Sequence, residues 1–206
     1  MKSKRKPLTA AELMARLQSD PEWVRQDAER KALQQSRVKQ RLEEIEPEHS
    51  PLMAELAAAG VKVRMNPKIQ LTLPPEERPG QNPVPVTSVS DLVNTPDSYP
   101  EAIPILIKHL RMVRHPIMIN SLARALTVKE ACGTDAARVV LDRLKQTNPC
   151  TTEAGDDYQA RWALANALTV IADKSMAAEI ENLLADARYE DVKERLETAM
   201  KNLRTG

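Results

Sequence analysis

The sequence predicts a mainly α fold: a short α-solenoid of about three helix hairpins, preceded by an N-terminal helical arm and a small β-hairpin insertion. Three observations predict it. Aromatic residues are 2 % of the 206-residue chain, Phe is absent, and only five glycines occur. Sheet-rich folds lean on aromatic and β-branched residues, whereas this chain leans on Leu and Ala, which favour helix. The second observation is an echo: LARALTV, Leu122 to Val128, returns 42 positions later as LANALTV, Leu164 to Val170. The third is a series of helix starts and stops at regular intervals from Ser88 onward.

The elements follow in order. Thr9 and Glu12 form a capping-box pattern, which predicts a short helix ending near Ser19. Asp20-Pro21 starts a second helix over 21–46, because Pro is tolerated at the first helical position. Its best stripe is Val24, Ala28, Lys31, Gln35, Val38, Leu42 and Ile45, a heptad-like spacing with two polar seam positions. A projecting arm and a weak homodimer through 21–46 are the two readings of that stripe. Ser50-Pro51 starts a third helix, which Gly60 ends.

VKVRMNPKIQLTL, 61–73, alternates apolar and polar residues on both sides of Asn66-Pro67-Lys68 and predicts a β-hairpin. The Pro-rich stretch 74–86 follows, expected to be extended and irregular. Domain boundaries therefore fall as an arm over 1–60, a hairpin and linker over 61–87, and a repeat domain over 88–206. In the last, a short capped helix spans Thr87 to Asn94. Helices then follow near 99–111, 116–128, 134–146, 157–172, 175–187 and 190–203. Asp156-Asp157 precedes one of them as a capping pair.

Self-similarity with a period near forty is the mark of a helical repeat, whose units need neighbours to bury their apolar faces. A fainter third copy of the second helix is RLETAMKNL, 195–203. The first helices also rhyme: IPILIKHL (103–110), ARVVLDRL (137–144) and AAEIENLL (177–184). Arg161, Ala163, Ala167, Leu168 and the closing Ile171-Ala172-Asp173 resemble HEAT repeats, particularly the bacterial HEAT-like type. Leu164 replaces one alanine of that pattern, and Thr169 stands where a small glycine is usual. The first copy has Ile119, and the third Lys193, in place of the leading Arg. The resemblance covers about 99–203. The segment VSDLVNTPDSYPEAIPILIKHL is similar to bacterial HEAT-like proteins with an N-terminal helical arm. The resemblance implies a fold and a concave binding face lined by second helices, without implying an activity.

With Ala163, Leu164, Ala167, Leu168 and Ile171 facing inward, the outward stripe of the helix is Trp162, Asn166, Thr169 and Asp173. The matching stripe is Asn120, Arg124 and Thr127 one hairpin earlier, and Glu194, Thr198 and Lys201 one later. Trp162 either packs beneath the arm or hairpin or anchors a partner, and Tyr158, one turn earlier, shares its fate. Arg161 is expected to tie adjacent repeats together by hydrogen bonds. The candidate partner-binding residues are thus Trp162, Tyr158, Asn166, Arg124, Asn120, Thr169, Asp173, Glu194 and Lys201.

Net charge is +1, so no global field draws the chain to nucleic acid. The charge is nonetheless uneven: residues 103–149 carry eight Lys/Arg against three Asp/Glu, and 150–206 carry seven against eleven. Lys108, Arg111, Arg114 and Lys129 form a basic patch that could meet an acidic protein or a phosphate backbone. His49, His109 and His115 lie in no nucleophile or metal-ligand pattern, and no Gly-rich phosphate loop occurs. One enzymatic precedent in HEAT-like folds, alkylpurine DNA glycosylase, would need Trp162, Tyr158, Arg124 and Asp173 as its site. Three hairpins are few for wrapping a duplex, and that face is not uniformly basic. No catalytic residues, metal or cofactor are expected.

Cys132 and Cys150 lack any CxxC or Cys/His spacing and read as free thiols in a cytoplasmic protein. The basic opening MKSKRKPL is followed by no apolar signal-peptide core, and no apolar run is long enough to span a membrane. The function expected is non-enzymatic: a HEAT-like scaffold or adaptor binding another protein on its concave face, as a bacterial adaptor, an immunity-type inhibitor or a phage-encoded binder would. The alternative is a nucleic-acid-associated HEAT-like protein using the basic first repeat.

Overall fold

The computed structural model describes Thr9, Met14 and residues 19–66, 82–150 and 155–205. The chain forms two compact units, Met1–Glu46 and Pro47–Gly206. Among the described residues the fold is mainly α. The expected 9–19 helix, the second arm of the expected hairpin (69–73) and most of the Pro-rich stretch lie outside the described residues.

Helix α1 runs unbroken over Pro21–Ala58 with Pro47 and Pro51 inside it, where the sequence predicts two separate helices. Each internal Pro removes a backbone donor and costs about 3 kcal/mol in an isolated helix. Tertiary packing offsets that cost: Leu52 and Leu56 are fully buried, and Glu55 pairs with Lys108 at 2.6 Å. Residues 47–60, assigned to the arm by sequence, therefore belong with the second compact unit. Over 21–46 the helix is polar and carries its own i,i+3 and i,i+4 ion pairs, such as Asp27 with Arg30 and Lys31. The Asp20 carboxylate accepts from the Glu22 N–H at 3.0 Å, giving the expected start.

The strand alternation of Val61 and Val63 is real, since both are buried, but the described pairing is not the local one expected. Strand β1, Lys62–Val63, pairs antiparallel with β2, Val84–Pro85, with Val63 opposite Val84. β2 lies in the stretch that composition marks as irregular. A Pro is acceptable there because this two-stranded ribbon consists of edges. Arg64 then fixes the chain by its backbone N–H and guanidinium, both donated to Asp97.

Six further helices follow α2, Val89–Val93: α3, Ile103–Met112; α4, Pro116–Ala125; α5, Ala136–Gln146; α6, Asp156–Ile171; α7, Ala177–Leu184; and α8, Lys193–Thr205. Short 3-10 turns at Pro100–Ala102, Lys174–Met176 and Ala187–Val192 lead into α3, α7 and α8. Asp91 caps α2 by accepting from the N–H of Thr87 and Ser88. Asp156 and Asp157 lie inside the first turn of α6 instead of preceding it. The cap is Gly155, at φ 91 and ψ 171, a conformation that side chains avoid.

α3 packs on α4, α5 on α6 and α7 on α8; α4, α6 and α8 lie side by side, as do α3 and α5. This neighbour pattern is compatible with three successive helix pairs. Within both copies of the echo, the Leu-Ala and Ala-Leu letters are buried: Leu122, Ala123, Ala125 and Leu126, then Leu164, Ala165, Ala167 and Leu168. Alanine at these positions lets neighbouring helices approach closely. The letter that changes between copies, Arg124 or Asn166, is among those the core leaves out.

Candidate partner-binding face

Central helix α6 packs on α4, α5 and α8, so the core takes most of its circumference. From Ala160 to Ile171, only Trp162, Asn166, Thr169 and Val170 escape burial. Trp162, Asn166 and Thr169 are the outward stripe that the periodicity predicts.

Arg161, immediately beside it, is 1 % exposed. Its Nε and Nη2 donate to the two carboxylate oxygens of Asp191 at 2.6 and 2.8 Å. Nη1 donates to the Thr147 carbonyl and hydroxyl, and Nη2 to the Arg188 carbonyl. All five guanidinium donors are thereby used. Tyr189 stacks on the group, 5.3 Å from ring centroid to Cζ. Arg161 thus ties α6 to the end of α5 and to the turn before α8 through hydrogen bonds, as expected from the sequence.

Trp162 is half-buried, and α8 supplies part of its cover: the Arg195 guanidinium lies 4.9 Å from the ring centroid. Such a stack contributes on the order of 1 kcal/mol. The Nε of Arg195 is buried and has no acceptor among the described residues. Sequence reasoning missed Arg195 because the offset of 32 sets Glu194 opposite Trp162. The flank of α8 that meets α6 is one residue further round. Asn202, also missed, donates from its amide to the Thr169 carbonyl at 2.8 Å. Arg195, Thr198 and Asn202 recur at helical spacing and form the α8 side of the face.

The remaining candidates divide. Asn120 and Asn166 are half-buried, Arg124, Glu194 and Lys201 exposed, and Tyr158 half-buried. Thr169 and Asp173 also make hydrogen bonds within the chain. The Thr169 hydroxyl donates to the Asn166 carbonyl and Thr127 does the same to Ala123, each closing the end of its own helix. Asp173 accepts from the Ser175 N–H at 2.8 Å and caps the following turn.

The basic patch also changes character. Lys108 is paired with Glu55, and Arg111 lies 3.2 Å from Asp135. Lysine pairing holds Glu55 below the usual carboxylate range. All four side chains of the patch, Lys108, Arg111, Arg114 and Lys129, are exposed. On α1, Val24, Val38 and Leu42 of the seam are 46 %, 52 % and 58 % exposed, while Lys31 is tied to Asp27. Cys132 and Cys150 are free thiols, and no described helix is long and apolar enough to cross a membrane. Compared with protein-family models, curated proteins and solved structures, the chain matched none.

Proposed function

We propose that the chain is a non-enzymatic protein-binding module, a short HEAT-like solenoid that receives its partner on the α4–α6–α8 face. The observation that carries this reading is the half-open indole of Trp162, on the one line of α6 that the core does not claim. Trp and Arg are the residue types that dominate interface hot spots, and here they are stacked on one another. A stack already formed in the free protein needs little further ordering when a partner closes over it. Asn120, Arg124 and Asn166 would supply a polar rim. The free thiols favour a reducing compartment, and we assign the module to the cytoplasm as a scaffold or adaptor.

The test is affinity capture with the wild-type chain, Trp162→Ala, Arg195→Glu and Arg124→Glu, each checked for an unchanged helical spectrum. Loss of the same co-eluting protein from the first two variants is expected. Equal recovery by both would overturn the reading. The nucleic-acid alternative has less support, because Lys108 and Arg111 already face carboxylates. No gel-shift complex is expected even at low salt, where phosphate contacts are strongest.

A further inference from the structure

A cleft of about 270 Å³ opens where α4 and α6 begin and α5 ends, lined among others by Arg114, Arg143, Gln146, Asn148, Cys150 and Asp157. Two of its walls carry guanidinium groups. That of Arg143 donates to the Val113 carbonyl and to the Gln146 side chain, which fixes its plane. Its Nε is buried and has no acceptor among the described residues. The Arg114 guanidinium has no hydrogen bond or ion pair to a described side chain. Burial lowers the Arg143 pKa, the Glu48 charge opposes that shift, and the Arg114 charge adds to it.

The Glu48 carboxylate, which accepts from the backbone N–H groups of Arg114 and His115, offsets part of that positive charge. Two cations border one concavity, one of them partly desolvated, and the Asp157 carboxylate that also lines it is ion-paired to neither. Charge-assisted donors left without an acceptor in a partly desolvated cleft are the arrangement an oxyanion satisfies.

We propose that this cleft binds a small ligand through a phosphate or carboxylate group held between Arg114 and Arg143. The amides of Gln146 and Asn148 complete the polar lining. Asp157 opposes the bound charge and keeps the affinity moderate. The site does not depend on the protein partner proposed above, and no partner enters its test.

Cys150 lines the cleft and Cys132 does not, so the thiols provide an internal comparison. The full-length chain at low ionic strength is titrated with inorganic phosphate and, separately, with glutarate. Thermal midpoint and the rates of alkylation of both thiols are followed. Saturable stabilisation by one or both anions is expected, with Cys150 protected and Cys132 unchanged. The anion that saturates identifies the group preferred. Arg114→Gln removes a guanidinium that has no partner among the described residues and should weaken binding about tenfold or more. Asp157→Asn should tighten it, and Arg124→Gln, outside the cleft, should leave it unchanged. Absence of saturation with both anions, or wild-type affinity in Arg114→Gln, would overturn the proposal.

Discussion

Arg161 and Tyr99 show how single side chains couple elements. Arg161 is fully enclosed with its counter-charge: the side chains of Arg161 and Asp191 are 1 % and 7 % exposed. Removing one partner of such a pair leaves a buried charge uncompensated and costs about 3–5 kcal/mol. Arg161→Ala and Asp191→Ala should therefore each lower the urea midpoint strongly. Arg161→Lys should rescue little, since an ammonium cannot reproduce the bidentate fork or the carbonyl contacts. Tyr99 is 3 % exposed, and its hydroxyl donates to the Ala125 carbonyl at 2.8 Å, holding the turn before α3 against α4. Burial, with the Glu130 charge adding to it, raises its pKa to about 12. The phenol is neutral when protonated, so this contribution is complete below the unfolded value near pH 10 and lost as pH rises through about 12. Denaturation at pH 8 and pH 11 should show an alkaline loss that is smaller in Tyr99→Phe.

At the scale of elements, α1 is the informative case. Sequence rules stop a helix before internal prolines, yet Leu52 and Leu56 are buried and keep the helix going through Pro47 and Pro51. Propensity is a local term, and burial of two leucines at about 1.5–3 kcal/mol each offsets much of it. The 21–46 stretch presents the opposite situation, with Val24, Val38 and Leu42 open to solvent on one heptad seam. A weak, concentration-dependent dimer through that seam is expected in sedimentation, and Leu42→Glu should abolish it. A purely monomeric wild type at high concentration would remove the idea. The polar seam residues Lys31 and Gln35 are the reason the association should be weak.

For the molecule as a whole, ion pairs between elements set the response to acid. Arg64 holds Asp97 below the usual carboxylate range, Lys108 does so for Glu55, and Lys145 with Arg138 for Glu179. Lowered values contribute stability that is present above the ordinary range, about pH 4 to 4.5, and lost as pH falls through the folded values. These groups are partly open to solvent, so each contribution is modest and screened. The urea midpoint should drop below about pH 4, less so in Arg64→Gln, and added salt should flatten the dependence. Loss of the Arg64–Asp97 contact should also loosen β1, whose only described strand partner is the two-residue β2.

The helical class, the buried Leu and Ala letters of the echo and its outward positions Arg124 and Asn166 were all legible in the sequence. So was the linking role of Arg161. These depend on a period of 3.6 residues within one helix, which neighbours reinforce without altering. Four things were decided only by the tertiary structure: the cover that Arg195 gives Trp162, the continuity of α1, the pairing of Val63 with Val84, and the cleft between Arg114 and Arg143. Each depends on which residues of distant segments meet. That is set by the rotation and separation of packed helices, and a turn of one residue, about 100° around α8, was enough to exchange Glu194 for Arg195.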